Sequence, residues 1–396
     1  MKETVVVGAA RTPVGSFLGA LGTVPAPRLG AIAIKAAVER AGGKLKPEMI
    51  DEVLMGCVLP AAQGQAPARQ AMIYAGLPAS VGAVTLNKVC GSGMRTAMLA
   101  DSMIRAGDAE IVVAGGMESM SLAPYALPGA RTGLRMGPSK TVDTMVNDGL
   151  WDPYQDKHMG SFADLCGRKY GISREEQDLF AKRSYERAIE ATAKGYYQAE
   201  IVAVEIPQKK GAPQLVEIDE EPQKFNWEKM RKLPPAFNKD GTVTAGNASS
   251  LNDGAAAMVL MSRDKANELG IKPLASIIGH AVFAQEPEWF TTAPAFAMKK
   301  ALKKAGLAKE QIDLWEINEA FSVQVIAAAK EFGGLDWDKV NVNGGGASIG
   351  HPIGCSGARI LVTLIYALQR KQGKLGVASL CIGGGEGTAM IIRNEA

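Results

Sequence analysis

Ile34-Lys35-Ala36-Ala37-Val38-Glu39-Arg40-Ala41-Gly42 returns, 264 positions later, as Met298-Lys299-Lys300-Ala301-Leu302-Lys303-Lys304-Ala305-Gly306. Both stretches read as amphipathic helices closed by a glycine, the residue that takes a left-handed backbone at least cost. A short acidic turn and an apolar strand follow each, Pro47-Glu48-Met49-Ile50-Asp51-Glu52-Val53-Leu54 in one and Lys309-Glu310-Gln311-Ile312-Asp313-Leu314-Trp315-Glu316 in the other. The same spacing recurs at Gly93-Met94-Arg95 and Gly357-Ala358-Arg359. Each opens a helix leading to a strand that ends in glycines, Gly115-Gly116 and Gly383-Gly384-Gly385. A period this wide exceeds the roughly 20 to 50 residues of a solenoid unit, so the pattern predicts two duplicated α/β halves. Glu110-Ile111-Val112-Val113-Ala114 and Val377-Ala378-Ser379-Leu380 are short apolar runs, as expected of strands covered on both faces.

Between the repeats the texture changes. Prolines at 124, 128, 138, 153, 207, 213, 222, 234 and 235 punctuate a charged helix running from about Arg174 to Gly195. The organisation predicted is a first half from residues 1–120 plus 249–270, an inserted loop domain at 121–248 and a second half at 271–396. An insertion of this length is either a binding lid or an irregular excursion without function.

The chain has 396 residues, 47% of them hydrophobic and 21% charged, which excludes disordered, collagen-like and disulfide-scaffold classes. A net charge of +3 spread along the sequence offers no footprint for nucleic acid or an anionic membrane. Cys57, Cys90, Cys166, Cys355 and Cys381 show no paired spacing, which predicts free thiols in a reducing compartment. Three separated histidines build no metal site. No apolar run approaches the roughly 20 residues of a membrane span. Lys2-Glu3 leads straight into the strand Thr4-Val5-Val6-Val7-Gly8, and Arg393-Asn394-Glu395-Ala396 is no address signal, so the expected location is the cytoplasm.

Four residues stand at the ends of predicted strands, where the loops of open α/β sheets gather ligands. Cys90, in Asn87-Lys88-Val89-Cys90-Gly91-Ser92-Gly93, precedes a helix whose positive end stabilises a thiolate. A cysteine among glycines equally suits an inert buried position. His351 lies in the irregular loop Gly350-His351-Pro352-Ile353-Gly354, where an imidazole either takes a proton from a thiol or merely braces the turn. Cys381 begins Cys381-Ile382-Gly383-Gly384-Gly385, and Asn318 begins Asn318-Glu319-Ala320-Phe321; one reads also as a buried thiol, the other as a helix cap.

Taken together and in this order, the four motifs resemble the thiolases, the acyl-CoA C-acyltransferases. The likeness extends over Arg11-Thr12-Pro13, Gly115-Gly116-Met117-Glu118 and Thr244-Ala245-Gly246-Asn247-Ala248-Ser249, so it spans essentially the whole chain. The resemblance implies a layered α-β-α-β-α arrangement of two halves with an inserted loop domain that binds CoA and makes oligomer contacts. It further implies that Cys90 is the nucleophile, that His351 takes its proton and that Cys381 acts as acid and base. It implies also that Asn318 holds a water beside His351 for one oxyanion, and that the N–H groups of Cys90 and Gly383 receive the other.

By the same resemblance, His158 and Met159 line the acyl pocket in the manner of short-chain members. Ser249 meets the pantetheine arm, with Ala245, Ala320 and Phe321 bordering the channel. Two departures stand out. Phe290-Thr291-Thr292-Ala293-Pro294 occupies the place of a Met-Gly-x-Gly-Pro stretch, and Gln223-Lys224 falls where a basic residue meets the CoA nucleotide. The expected activity is reversible Claisen condensation of two acetyl-CoA to acetoacetyl-CoA and CoA, with no cofactor and no metal, in a homotetramer of tight dimers. A medium-chain 3-ketoacyl-CoA thiolase and a non-catalytic acyl-CoA-binding protein are the alternatives.

Overall fold

The elements of the first half recur, in the same order, in the second. In the computed structural model, which describes residues 2–396, the first half opens with β1 (Thr4–Arg11), α1 (Ala26–Arg40), β2 (Glu52–Gly56), α2 (Pro67–Tyr74), β3 (Gly82–Leu86), α3 (Ser92–Ala106) and β4 (Ile111–Ser119). The insertion carries α4 (Met159–Tyr170) and α5 (Arg174–Ala193), after which β5 (Asn252–Ser262) completes the half. The second half follows as β6 (Ala275–Ala284), α6 (Ala293–Ala305), β7 (Leu314–Ile317), α7 (Ser322–Phe332), α8 (Ile353–Lys371), β8 (Leu375–Ile382) and β9 (Glu386–Asn394).

Strand order makes the duplication explicit: β7-β8-β9-β6-β1-β5-β4-β2-β3. In the first half β1, β5 and β4 pair antiparallel and β4, β2 and β3 parallel. In the second, β6, β9 and β8 pair antiparallel and β8 and β7 parallel. The counterpart of β3 shrinks to a parallel bridge between Trp315 and Val340. The two sheets are hydrogen-bonded to each other, a feature the repeat did not predict. They meet where β1 and β6 run antiparallel, through the pairs Val5↔Ser276 and Val6↔Ala275. Pairing these two first strands leaves neither with an open edge along that stretch.

Because successive side chains of a strand face opposite ways, each strand serves two layers. Val113 and Met117 of β4 and Ala257 and Val259 of β5 pack outward on α1 and α2. Val112 and Ala114, with Met258 and Leu260, face inward on α3 and α8. Ala378 and Leu380 of β8 and Met390 and Ile392 of β9 close on the same two helices from the other side, while Val377, Cys381, Ala389 and Ile391 turn outward to α6 and α7. The result is the expected α-β-α-β-α stack, with α3 and α8 as its central layer.

Those central helices cross at Gly93 and Gly357, the pair related by the 264-residue repeat. A Cβ on Gly93 would stand 2.7 Å from Ala358 N, and one on Gly357 2.3 Å from Met94 N, so only glycine permits this approach. The crossing lies at the second residue of α3 and about one turn into α8, and therefore brings their heads together. The insertion is pinned to this frame by charge. Arg11 at the end of β1, wholly buried, donates from Nε to Glu200 at 2.7 Å and from Nη1 to Asp219 at 2.7 Å. Among the described residues no helix is long and apolar enough to cross a membrane.

Candidate active site

Cys90 stands on a turn held against its own preference. Val89 has φ 45°, a left-handed conformation that a β-branched side chain avoids at about 1–3 kcal/mol. Ser92 enforces it: its hydroxyl accepts from Lys88 N at 2.8 Å and donates to Val89 O at 2.7 Å. At this turn the Cys90 sulfur meets its own backbone N–H and that of Gly383. Those donors favour the thiolate, yet burial outweighs them and pushes the thiol up to about 11. The expected activation by the helix end is thus overridden by desolvation, and the resting cysteine is a neutral thiol.

At the head of α8, the twin of α3, His351 is buried. Its N–H donates to Asn252 Oδ1 at 2.8 Å, and its ring is gripped at both nitrogens. Ser356 Oγ lies 2.5 Å from Nδ1, and the same hydroxyl donates its only proton to Pro352 O at 2.9 Å. With that proton on Pro352 O, Ser356 accepts from His351 Nδ1–H, and Nε2, which faces the Asn318 Nδ2–H donor, is the unprotonated nitrogen. Asn318 Nδ2 reaches Nε2 at 3.4 Å. Burial, helped by the cation of Arg359, holds the imidazole down at about 3, so it enters the reaction as a neutral base.

Asn318 is a side-chain donor to this ring rather than a helix cap. Its N–H donates to Ser379 O at 2.9 Å, fixing it beside β8, and its buried Oδ1 has no partner. Cys381, near the end of β8, is buried and its thiol is raised well above the ordinary range by burial and by the nearby Cys90 sulfur. At Gly383 neither φ nor packing demands glycine. A Cβ would sit 3.4 Å from Met159 Sδ and 3.6 Å from Val89 Cγ1, ordinary contact distances, so a side chain there would occupy pocket space.

The insertion supplies one wall. His158 caps α4, its Nδ1 accepting from Gly160 N at 3.0 Å, and burial lowers its proton affinity. Its ring stacks on Phe237 with centroids 4.6 Å apart. Phe237 meets Phe321 edge-on at 6.0 Å, and Phe290 meets the same ring at 6.3 Å. Ser249 joins this wall through its N–H to Ala320 O at 2.9 Å. Ala245 is exposed in the Thr244–Ala248 turn.

Several supporting groups carried no signal of their own in the sequence. Phe237 lies in a proline-rich loop, and Asn252 and Ser356 are ordinary polar residues until the loops close around His351. Glu319 sits inside a recognised motif, but its partners come from distant segments. It accepts from Ser184 of α5 at 2.6 Å, Asn341 Nδ2 at 2.7 Å and Ala347 N at 3.1 Å, and so fixes the loop leading to His351.

Fold and site together define an acyltransferase on a duplicated α/β frame. Residues 4–264 match the thiolase N-terminal domain and residues 271–394 the thiolase C-terminal domain, and the chain belongs to the thiolase family. It is 54% identical over 396 residues to the acetyl-CoA acetyltransferase of Cupriavidus necator and 52% identical over 398 residues to that of Pseudomonas aeruginosa, in each case covering the whole of both chains. The crystal structure of the Bacillus anthracis acetyl-CoA acetyltransferase superposes with a TM-score of 0.96 at 43% identity, covering 100% of this chain and 99% of that one.

Proposed function

We propose that the protein is an acetyl-CoA C-acetyltransferase that works through an acetyl-Cys90 intermediate. The observation that carries the reading is the placement of the Cys90 sulfur, with the Cys90 and Gly383 N–H groups, and of a neutral, Nε2-accepting His351 at the heads of two helices that cross at Gly93 and Gly357. In the first half-reaction the Cys90 thiol gives its proton to His351 Nε2 and its sulfur bonds to the thioester carbonyl carbon. The C–S bond to CoA then breaks, and the proton leaves with the CoA thiol. With the thiol near 11 and the imidazole near 3, this transfer is uphill in the resting enzyme. It proceeds in concert with attack, as charge moves onto the oxygen held by the Cys90 and Gly383 N–H groups.

In the second half-reaction the Cys381 thiol, held protonated at rest by burial, gives its proton to His351 Nε2, and the thiolate so formed removes a proton from the methyl carbon of a second acetyl-CoA. The thioester oxygen of the resulting enolate is received by His351, now a donor at Nε2, and by a water on Asn318, whose unpartnered Oδ1 supports that role. The carbanion bonds to the acetyl carbon on Cys90, and the Cys90 sulfur leaves as a thiolate and takes the proton from His351, which restores the resting thiol and the neutral imidazole. Thiolysis runs the same steps in reverse. Substrates are acetyl-CoA, acetoacetyl-CoA and CoA, with no further cofactor or metal. The aromatic wall of His158, Phe237, Phe321 and Phe290 favours short acyl chains over a medium-chain range. Exposed Tyr125, Leu127, Leu134 and Met136 on the insertion support a homotetramer, and a cytoplasmic location completes the reading; light scattering and cell fractionation test these two points.

The enzymatic test is CoA-dependent loss of acetoacetyl-CoA enolate absorbance, beside an eight-carbon 3-ketoacyl-CoA and the Cys90→Ala variant. Activity on the short substrate that vanishes in the variant supports the proposal. Faster cleavage of the longer substrate rejects the short-chain assignment, and cleavage of neither points to an acyl-CoA-binding protein.

A further inference from the structure

The inner face of β4 carries Val112, Ala114, Gly116 and Glu118 in alternation, and its last two residues meet the head of α8. A Cβ on Gly116 would stand 2.1 Å from Gly354 O, so the helix start rests directly on the strand. Beyond it, the fully buried Glu118 carboxylate gathers three backbone donors. Oε2 accepts from Gly354 N at 2.9 Å and Val58 N at 2.9 Å, and Oε1 from Leu59 N at 3.2 Å. Cys57 Sγ lies 3.6 Å from Oε1. A Cβ on Gly354 would come within 2.6 Å of Oε2, so this closure depends on a glycine there.

Two further facts set this carboxylate apart from a packing residue. Gly354 lies between His351 and Ser356, the residue that fixes the imidazole tautomer, so a bond to its N–H holds the turn that carries the base. The repeat supplies the control: 264 positions on from Glu118 is Ile382, whose Cδ1 lies 2.4 Å from where a Cβ on Gly91 would be, beside Cys90. The duplicated halves thus use an aliphatic side chain against one helix head and a charged one against the other. Burying a carboxylate costs several kcal/mol unless its lone pairs are met, and here they are met by N–H dipoles, including the head of α8.

We propose that Glu118 is a positioning residue for acyl transfer, locking the His351–Ser356 turn to the Val58–Leu59 turn and so setting where the imidazole stands relative to the Cys90 thiol. The proposal rests on Cys90 and His351 being the reacting pair. Burial raises the Glu118 carboxyl to about 7 against the pull of its N–H donors, and its charge in turn opposes ionisation of Cys90. The titratable groups facing it are Cys57 after β2, Cys90 at the head of α3 and Cys355 on α8, with the buried His351 nearby; from β5 the uncharged Gly254 lies opposite.

The test is Glu118→Gln, isosteric but uncharged. Thiolysis kcat is expected to fall about 10- to 100-fold, the scale of a misplaced catalytic group, with KM for both substrates within about twofold. The pH midpoint of Cys90 alkylation by iodoacetamide, located by mass spectrometry, moves down, because a negative charge opposing the thiolate is gone. A kcat within twofold of wild type, or an unmoved midpoint, overturns the proposal. Should the variant not fold, hydrogen exchange in the wild-type protein decides: Val58, Leu59 and Gly354 amides protected like the core support it, and loop-like exchange overturns it. Wild-type protein without thiolysis would instead reject the underlying functional reading.

Discussion

Replacing Ser356 by alanine tests the tautomer argument at its origin. The hydroxyl is the acceptor for His351 Nδ1–H, 2.5 Å away, because its own proton is committed to Pro352 O. Both residues are buried, so no bulk water replaces the lost partner. An unsatisfied buried donor costs about 1–3 kcal/mol. The ring escapes that cost by moving its proton to Nε2, the nitrogen that must be empty to accept the thiol proton. If the whole penalty falls on the acylation step, at 1.36 kcal/mol per decade the rate drops roughly 5- to 150-fold. The assay is single-turnover release of CoA from acetyl-CoA, which isolates acetylation of Cys90 from condensation. Binding of CoA is expected to be unchanged, since Ser356 faces the imidazole and the backbone. An acetylation rate within twofold of wild type would falsify the assignment of Nε2 as the accepting nitrogen.

Three further outcomes follow from the same geometry. Gly357→Ala places a methyl 2.3 Å from Met94 N at the crossing of the central helices; a loss of at least about 1–3 kcal/mol in urea unfolding is expected, together with loss of activity as the helix heads separate. Phe237→Ala removes the ring stacked on His158 and opens the acyl wall, raising the eight-carbon to four-carbon ratio of kcat/KM about tenfold; an unchanged ratio removes Phe237 from the specificity wall. With the Cys90 thiol near 11 and thiolate the reactive form, alkylation by iodoacetamide rises about tenfold per pH unit from pH 7 to 10. A plateau below pH 8 would mean that the helix end and the Gly383 N–H prevail over burial.

The duplicated architecture was legible in the sequence because each half repeats the same helix-turn-strand grammar at one offset, and hydrophobic periodicity is a local property. The pair Gly93 and Gly357 was visible as part of that repeat, but its meaning as the contact point of two buried helices was not, since nothing local says which helices cross. The junction of the sheets at Val5 and Val6 with Ser276 and Ala275 was hidden for the same reason. Cys90, His351, Asn318 and Cys381 were legible as a set because their four motifs, in order, resemble those of the thiolases, whereas each alone read equally as an inert or structural residue. Phe237, Asn252 and Glu118 become site residues only through partners far away in the chain, and Ser356 only once its turn folds back on His351.

Residue order alone specified two α/β halves and the insertion between them, since periodicity and glycine placement are written locally, and through the resemblance of four ordered motifs to the thiolases it implied the reactive groups. Protonation states belonged to the folded molecule. A thiol before a helix reads as activated, but burial makes Cys90 a neutral thiol, and the single proton of Ser356 fixes which nitrogen of His351 is empty. Desolvation and hydrogen-bond direction depend on what surrounds a group in space, and here those surroundings are assembled from segments as far apart as Val58, Glu118 and Gly354.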